Sequence, residues 1–188
     1  MRLDLVNESD FVKHYWKYFI SLKKCFLETE NFVFIDKENF KTFSLEYDKI
    51  FQSICSEIDV ILKTICKIFD ANSNADKMNK YKSVLNKYLP KINEEKVLIG
   101  NTNVTLKPFE NWTKNLAPEW WTCYNKVKHE RTTTCTKTNS PFYKKQYFKA
   151  ANLENTLNAL SALYILEFYC LLLVEKKSKK NYFSLTSV

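Results

Sequence analysis

Hydrophobic and polar positions along this 188-residue chain alternate mainly with the period of a helix. From Ser44 onward, Tyr47, Ile50, Phe51, Ile54, Ile58, Ile61, Ile65 and Phe69 recur at three- and four-residue steps. That spacing places them on one face of a long helix. An earlier helix is expected from about residue 9 to residue 27, with Ser9 as its N-cap. The short β-prone run "NFVFID" follows it. "DANSNAD" breaks the long helix, and a lysine-rich helix is expected over about 77–88, stopped at Pro90. The period then changes. "KVLIGNTNVTLKPF" has two short β-prone runs around Gly100-Asn101, which predicts a hairpin over about 96–107. Pro118 sits where proline is tolerated, in the first turn of a helix that should end soon after Arg131. "TTTCTKTNSPFY" is a loop by composition. A final helix is expected from about 145 to 177, with Leu153, Leu157, Leu160, Tyr164, Phe168 and Leu171 along one stripe. A basic tail over about 176–188, starting with "EKKSKK", should follow that helix and complement its C-terminus. No repeat or linker divides the chain. The expected fold class is all-α: a single helical bundle domain, residues 1–188, with one small β-hairpin.

Composition narrows this picture. With 45% hydrophobic and 15% aromatic residues, the chain can build a full core and is not a disordered segment. One glycine and four prolines exclude a glycine-rich phosphate loop and disfavour a turn-rich sandwich or barrel. The six cysteines are dispersed without a CxxC pair. They read as reduced core thiols and not as a disulfide framework or zinc site. The histidines and cysteines form no metal set, so neither metal nor cofactor is expected. The N-terminus lacks an apolar core of signal length. The longest apolar run, 160–174, is interrupted by Ser161 and Glu167 and is short for a bilayer, so it reads as a buried core helix. The expectation is a cytoplasmic protein without a membrane partner.

The charge is +8 overall and unevenly spread. Residues 111–150 carry eight basic side chains (114, 126, 128, 131, 137, 144, 145 and 149) against Glu119 and Glu130. Such a field attracts a polyanion, although a solvated lysine surface is the plainer reading. Within this region lies "WWTCYNKVKHER", residues 120–131. On a helix, Leu116, Trp120, Tyr124 and Val127 share a core-facing side, with Cys123 beside them. Trp121, Asn125 and His129 line up on another side at i, i+4, i+8, next to Lys128. An imidazole can act as general acid or base, an amide can orient it, a cation can stabilise a phosphorane, and an indole can stack on a base. A solvated histidine and a tryptophan packed under the hairpin would give the same pattern.

"YNKVKH" resembles the signature of the HEPN superfamily: an Arg, a polar residue that is often Asn, three to five further residues, then His. Asn125 and His129 occupy the polar and histidine positions, while Tyr124 stands where the arginine belongs. The resemblance implies a bundle of four to five helices, and either RNA binding or metal-independent RNA cleavage in a bacterial defence or toxin–antitoxin type system. It also implies a homodimer that shares its sites. In that reading His129 is the acid or base, Asn125 orients it, and Lys128 and Arg131 replace the missing arginine. Trp121, Lys126, Lys144, Lys145 and Lys149 would hold the RNA. "FSLEYDKIFQSICSEIDVILKTIC", "LKPFENW", "PEWWTCYNKVKHER" and "ANLENTLNALSALYIL" look similar, in the same order, to a group of bacterial proteins that supplies no activity.

Three other features bear on the site. Glu57 lies at the border of the long helix's apolar stripe and could reach Lys128 or Arg131 across the bundle; a boundary residue facing water is the other reading. Asn152 and Asn155, at the start of the last helix, either cap it, the favoured role, or hydrogen-bond to the motif helix. Cys135 has no motif that would pair it with His129 as a nucleophile. The reading that competes with RNA chemistry is a catalytically silent helical module that binds a protein partner from the same system.

Overall fold

The computed structural model describes residues 6–100 and 102–185, with side chains through residue 176. It is mainly helical, with one two-stranded antiparallel sheet. Helix α1 is continuous but changes pitch, running as α-helix over Glu8–Phe11, as a π turn over Val12–Trp16 and as α-helix over Lys17–Glu28. Its N-cap is Asn7, not Ser9. Asn7 Oδ1 accepts the Asp10 N–H at 2.9 Å, and its amide donates to the Asp10 carboxylate at 2.7 Å. Asn caps at least as well as Ser, and this reciprocal pair fixes the earlier start. "NFVFID" forms no strand. A 3-10 turn over Thr29–Asn31 leads into it, and Phe32 and Phe34 face solvent. β-propensity reflects packing on a pleated surface, and this segment pairs with no strand among the described residues.

Helix α2 (Leu45–Phe69) is where the periodicity reads most cleanly. Ser44 caps it, its hydroxyl accepting the Tyr47 N–H at 3.0 Å. Glu46 and Asp48 put negative charge in the first turn. Ile50, Phe51, Ile54, Ile58, Ile61 and Ile65 are all buried, and burying each such side chain is worth about 1.5–3 kcal/mol. Helix α3 (Met78–Tyr88) follows. Strands β1 (Val97–Leu98) and β2 (Thr105–Leu106) pair with Val97 opposite Leu106 and Leu98 opposite Thr105, inside the expected hairpin span. Gly100 turns the connection with φ +40°; Asn101, the other residue of the expected turn, lies outside the described residues.

Helix α4 (Glu119–Glu130) carries the motif. Pro118 is its N-cap and not its first helical residue. Helix α5 (Leu153–Leu185) starts later than residue 145. Residues 145–147 are instead tied to the loop before them, with the Cys135 N–H on the Lys145 carbonyl at 2.9 Å and the Tyr147 N–H on the Thr133 carbonyl at 3.1 Å. A 3-10 turn over Tyr147–Ala150 follows. Asn152 then caps α5, its side-chain oxygen accepting the Asn155 N–H at 2.9 Å.

The α2–α5 interface is the largest between helices, and α1 and α4 also pack on α5. Surrounded in this way, α5 is apolar on several sides and a single stripe misjudges its phase. Tyr164 and Phe168 are exposed, whereas Leu163, Leu166, Glu167, Cys170 and Val174 are buried. Its apolar part, Leu153–Lys176, extends beyond the expected 160–174 run and is long and apolar enough to cross a membrane, but most of it is packed inside the protein. The basic run at 175–180 continues this helix through residue 185 and does not follow it as a tail; residues 186–188 lie outside the described residues.

Candidate functional site

Helix α4 is held in place from below. Phe109 and Trp112, buried after the hairpin, stack with ring centroids 5.2 Å apart. Trp120 packs edge-on to Phe109 at 6.3 Å and donates its Nε1–H to the Pro108 carbonyl at 2.8 Å. Tyr124 meets Phe51 of α2 edge-on at 6.2 Å. Trp120, Cys123, Tyr124 and Val127 are therefore the buried face, as their spacing predicts. Leu116 is not part of it: it precedes the helix and is exposed.

The outward row is less uniform than the spacing implies. His129 and Lys128 are exposed, and Asn125 is half-buried. No side-chain hydrogen bond joins Asn125 to His129 among the described residues, although they lie one turn apart on the helix. Trp121 is half-buried and packs its ring 5.1 Å from Tyr124 and edge-on to Trp120 at 5.9 Å. Its indole is thus largely used by the aromatic seam.

The cations around the row are differently engaged. Arg131 forms an ion pair with Asp48 of α2 at 3.3 Å. Asp48 is itself buried and accepts a further hydrogen bond from Gln52 at 2.8 Å. Arg131 therefore ties α4 to α2. Lys126 pairs with Glu130 at 2.6 Å and lies 5.2 Å from the Tyr147 ring centroid. Lys128 lies over the Tyr124 ring at 5.6 Å, the cation nearest the position where the resembled motif carries arginine.

Glu57 meets neither Lys128 nor Arg131 in an ion pair. It is half-buried, and desolvation raises its pKa. Its electrostatic neighbour is Glu167 of α5, which is fully buried with both carboxylate oxygens unpartnered. Apolar burial at the α2–α5 contact holds two carboxyl groups near one another instead of bringing a cation to Glu57. Cys135 is buried but not paired with His129. Hydrogen bonds from Tyr147 and then Ser140 pull its thiol below the usual range.

The loop after α4 folds back on the helix end. The Phe148 N–H reaches the Arg131 carbonyl at 2.9 Å, and Gln146 Nε2 reaches the Thr132 carbonyl at 3.0 Å. Thr134 and Gln146 form an isolated bridge. This returns Lys144, Lys145 and Lys149 to the neighbourhood of α4. Lys144 and Lys145 are exposed; Lys149 lies over the Phe43 ring at 5.5 Å.

Two cavities adjoin this loop, and neither is lined by Asn125 or His129. An open cleft of about 660 Å³ is bordered by Trp120, Asn111, Asn139, Asn155 and Asn158, with Lys41, Lys107, Glu110, Glu119 and Glu154 giving it mixed charge. A smaller cavity of about 130 Å³ is lined by Lys41, Phe43, Pro141, Phe142, Lys145, Lys149 and Asn152. Of the expected contact residues, only Lys145 and Lys149 border a cavity. Among the described residues no group of three or more His, Cys, Asp or Glu side chains is arranged to hold a metal ion.

No protein-family model, curated protein or solved structure matches this chain. The site rests on its own geometry, and four of its residues escape a reading of local pattern. Asp48 and Glu167 lie on helices whose apolar neighbours hide them. Lys41 is unremarkable in sequence. Asn152 announces itself only as a helix cap, not as the wall of a cavity.

Proposed function

We propose that the protein binds RNA through the polar side of α4 and the basic loop that follows it. The supporting observation is the hydrogen-bonded return of residues 146–148 to the 131–133 backbone, which gathers cations from two separate stretches of the chain. Lys128, Lys144, Lys145 and Lys149 have no carboxylate partner among the described residues, so their charge is available to phosphates. Arg131 acts mainly as a strut to Asp48. In this reading the protein works in the cytoplasm, as a homodimer, with no membrane partner.

Cleavage of the bound strand is the further step that the resemblance to the HEPN signature implies. The 2′-hydroxyl attacks the adjacent phosphorus, the 5′-oxygen leaves, and a 2′,3′-cyclic phosphate forms. His129 exchanges the proton, and Lys128 offsets charge on the phosphate. Asn125, half-buried and one turn away, orients the strand or the imidazole. A second copy would have to supply the enclosure that His129 lacks on its open helix face. Incubating purified protein with total RNA in EDTA, beside His129→Ala, tests both steps. Retained binding with loss of cleavage in the variant supports a nuclease. Binding without cleavage in either protein supports an RNA-binding protein alone.

One set of observations favours a second reading, an inactive module that binds a protein. Phe32 and Phe34 are 89% and 80% exposed, and Leu45 nearby in sequence is 79% exposed. With Tyr124 buried in place of the arginine and Arg131 drawn away to Asp48, such a module needs no chemistry at His129.

A further inference from the structure

The charged residues lining the small cavity beside the loop are Lys41, Lys145 and Lys149, and no carboxylate borders it. Glu154, in the neighbouring cleft, pairs with Lys41. Lys145 and Lys149 remain without a carboxylate partner among the described residues. Asn152 also lines this cavity and is 1% exposed. Its side-chain oxygen is committed to the Asn155 N–H at 2.9 Å, which leaves Nδ2 as the remaining donor of the amide. That Nδ2 has no hydrogen-bond partner. A buried donor left unmet is destabilising, and an acceptor in the cavity would satisfy it.

The backbone is also arranged for this. Lys144 adopts φ +60°, in the left-handed region that a non-glycine residue enters only with strain. The turn is held by the Lys144 N–H on the Cys135 carbonyl at 2.8 Å and the Lys145 N–H on the Phe142 carbonyl at 2.8 Å. It sets where Lys145 begins, at the cavity wall. Strain of this kind collects where a loop serves a ligand.

We propose that this cavity binds a single phosphate monoester group. Cations and an amide donor, with no acidic wall, select an anion, and lysine binds phosphate as a point charge. Phe43 and Phe142 give the cavity apolar walls beside those charges. About 130 Å³ is room for roughly four waters, which suits a compact tetrahedral group. The remainder of the ligand lies in the larger cleft, which shares Lys41, Pro141 and Phe142 with the small cavity. The group belongs either to a free phosphate compound or to the 5′ end of an RNA strand. This goes beyond the binding of RNA along its backbone, which requires no such end group.

Backbone amide shifts of residues 41–43 and 142–152 in the full chain report occupancy. The titrants are inorganic phosphate, acetate, and one short RNA carrying either a 5′-phosphate or a 5′-hydroxyl. Phosphate should shift these amides saturably and acetate should not. Lys145→Met with Lys149→Met should weaken phosphate binding at least tenfold, while Lys80→Met, on α3 and outside both cavities, leaves it unchanged. Asn152→Asp keeps the helix cap but replaces the donor with a carboxylate, and it too should weaken binding at least tenfold. If that variant does not fold, the lysine pair decides alone. A 5′-phosphorylated RNA that binds at least tenfold tighter than its hydroxyl counterpart assigns the group to a strand end. Equal RNA affinities beside saturable phosphate binding assign it to a free compound. Non-saturable phosphate shifts, or saturable binding that the lysine pair does not alter, overturn the proposal. The 5′-hydroxyl strand tests RNA binding separately, so the two ideas fail independently.

Discussion

A carboxyl group without a hydrogen-bond partner sits in the α2–α5 interface. Glu167 is 0% exposed. Burial, and secondarily the nearby charge of Glu57, push its pKa up to about 8. Cys170, one turn on, is raised to about 12, first by burial and then by Glu167. A carboxyl whose folded pKa lies above its unfolded value keeps its proton longer when folded. The folded state then binds more protons between about pH 4.5 and pH 8, so stability falls as pH rises through that window. Between pH 5 and pH 8 the loss from this residue is roughly 3 kcal/mol. Glu167→Gln should flatten that slope and raise the melting temperature at pH 8. A variant whose stability falls as steeply as wild type over this range removes Glu167 as the cause. Arg131 and His129 differ in the same residue-level terms. Arg131→Ala strands the buried Asp48 carboxylate and should cost about 1–3 kcal/mol in a urea titration. His129→Ala removes an exposed side chain that makes no side-chain hydrogen bond or ion pair among the described residues and should stay within about 0.5 kcal/mol. The outward position of His129 was legible from helical phase. Asp48 as the partner of Arg131 was not, because periodicity within one helix carries no information about which side chain faces it on another.

At the scale of elements, legibility depended on how many neighbours each helix has. Helix α2 buries one broad face, so its apolar spacing gave both its limits and its phase. Helix α5 touches α1, α2 and α4, and an all-round apolar pattern does not say which side is innermost. Its start was misread because the capping Asn152 and the strained Lys144 turn override the helical propensity of residues 145–151. The difference is measurable. Ile58→Ala on α2 and Leu166→Ala on α5 both remove fully buried side chains and should each cost about 2–5 kcal/mol. Phe168→Ala, on the stripe that the spacing favoured, removes a 48% exposed ring and should cost under about 1.5 kcal/mol, read from urea midpoints. Equal losses at 166 and 168 would contradict the phase of α5.

For the whole molecule, the fold class and the site differ in how far sequence reaches. An all-α bundle with a small hairpin follows from period and punctuation alone. The candidate site is only half visible, because its cations are gathered by the 131–148 loop contacts and its cavities lie between segments far apart in the chain. Residues 111–150, which supply that composite face, carry eight basic side chains against two glutamates. The most direct measurement of its role is fluorescence anisotropy of a 5′-hydroxyl single-stranded RNA with wild type and with Lys128→Ala, Lys144→Ala and Lys145→Ala combined, between 50 mM and 200 mM NaCl. With about four phosphates neutralised, wild-type affinity should fall by roughly tenfold to a hundredfold across that range, as counterions are released. The triple variant should bind more weakly at 50 mM and show a shallower salt slope. No binding at 50 mM, or binding with the same slope in both proteins, would contradict the assignment of this face to RNA.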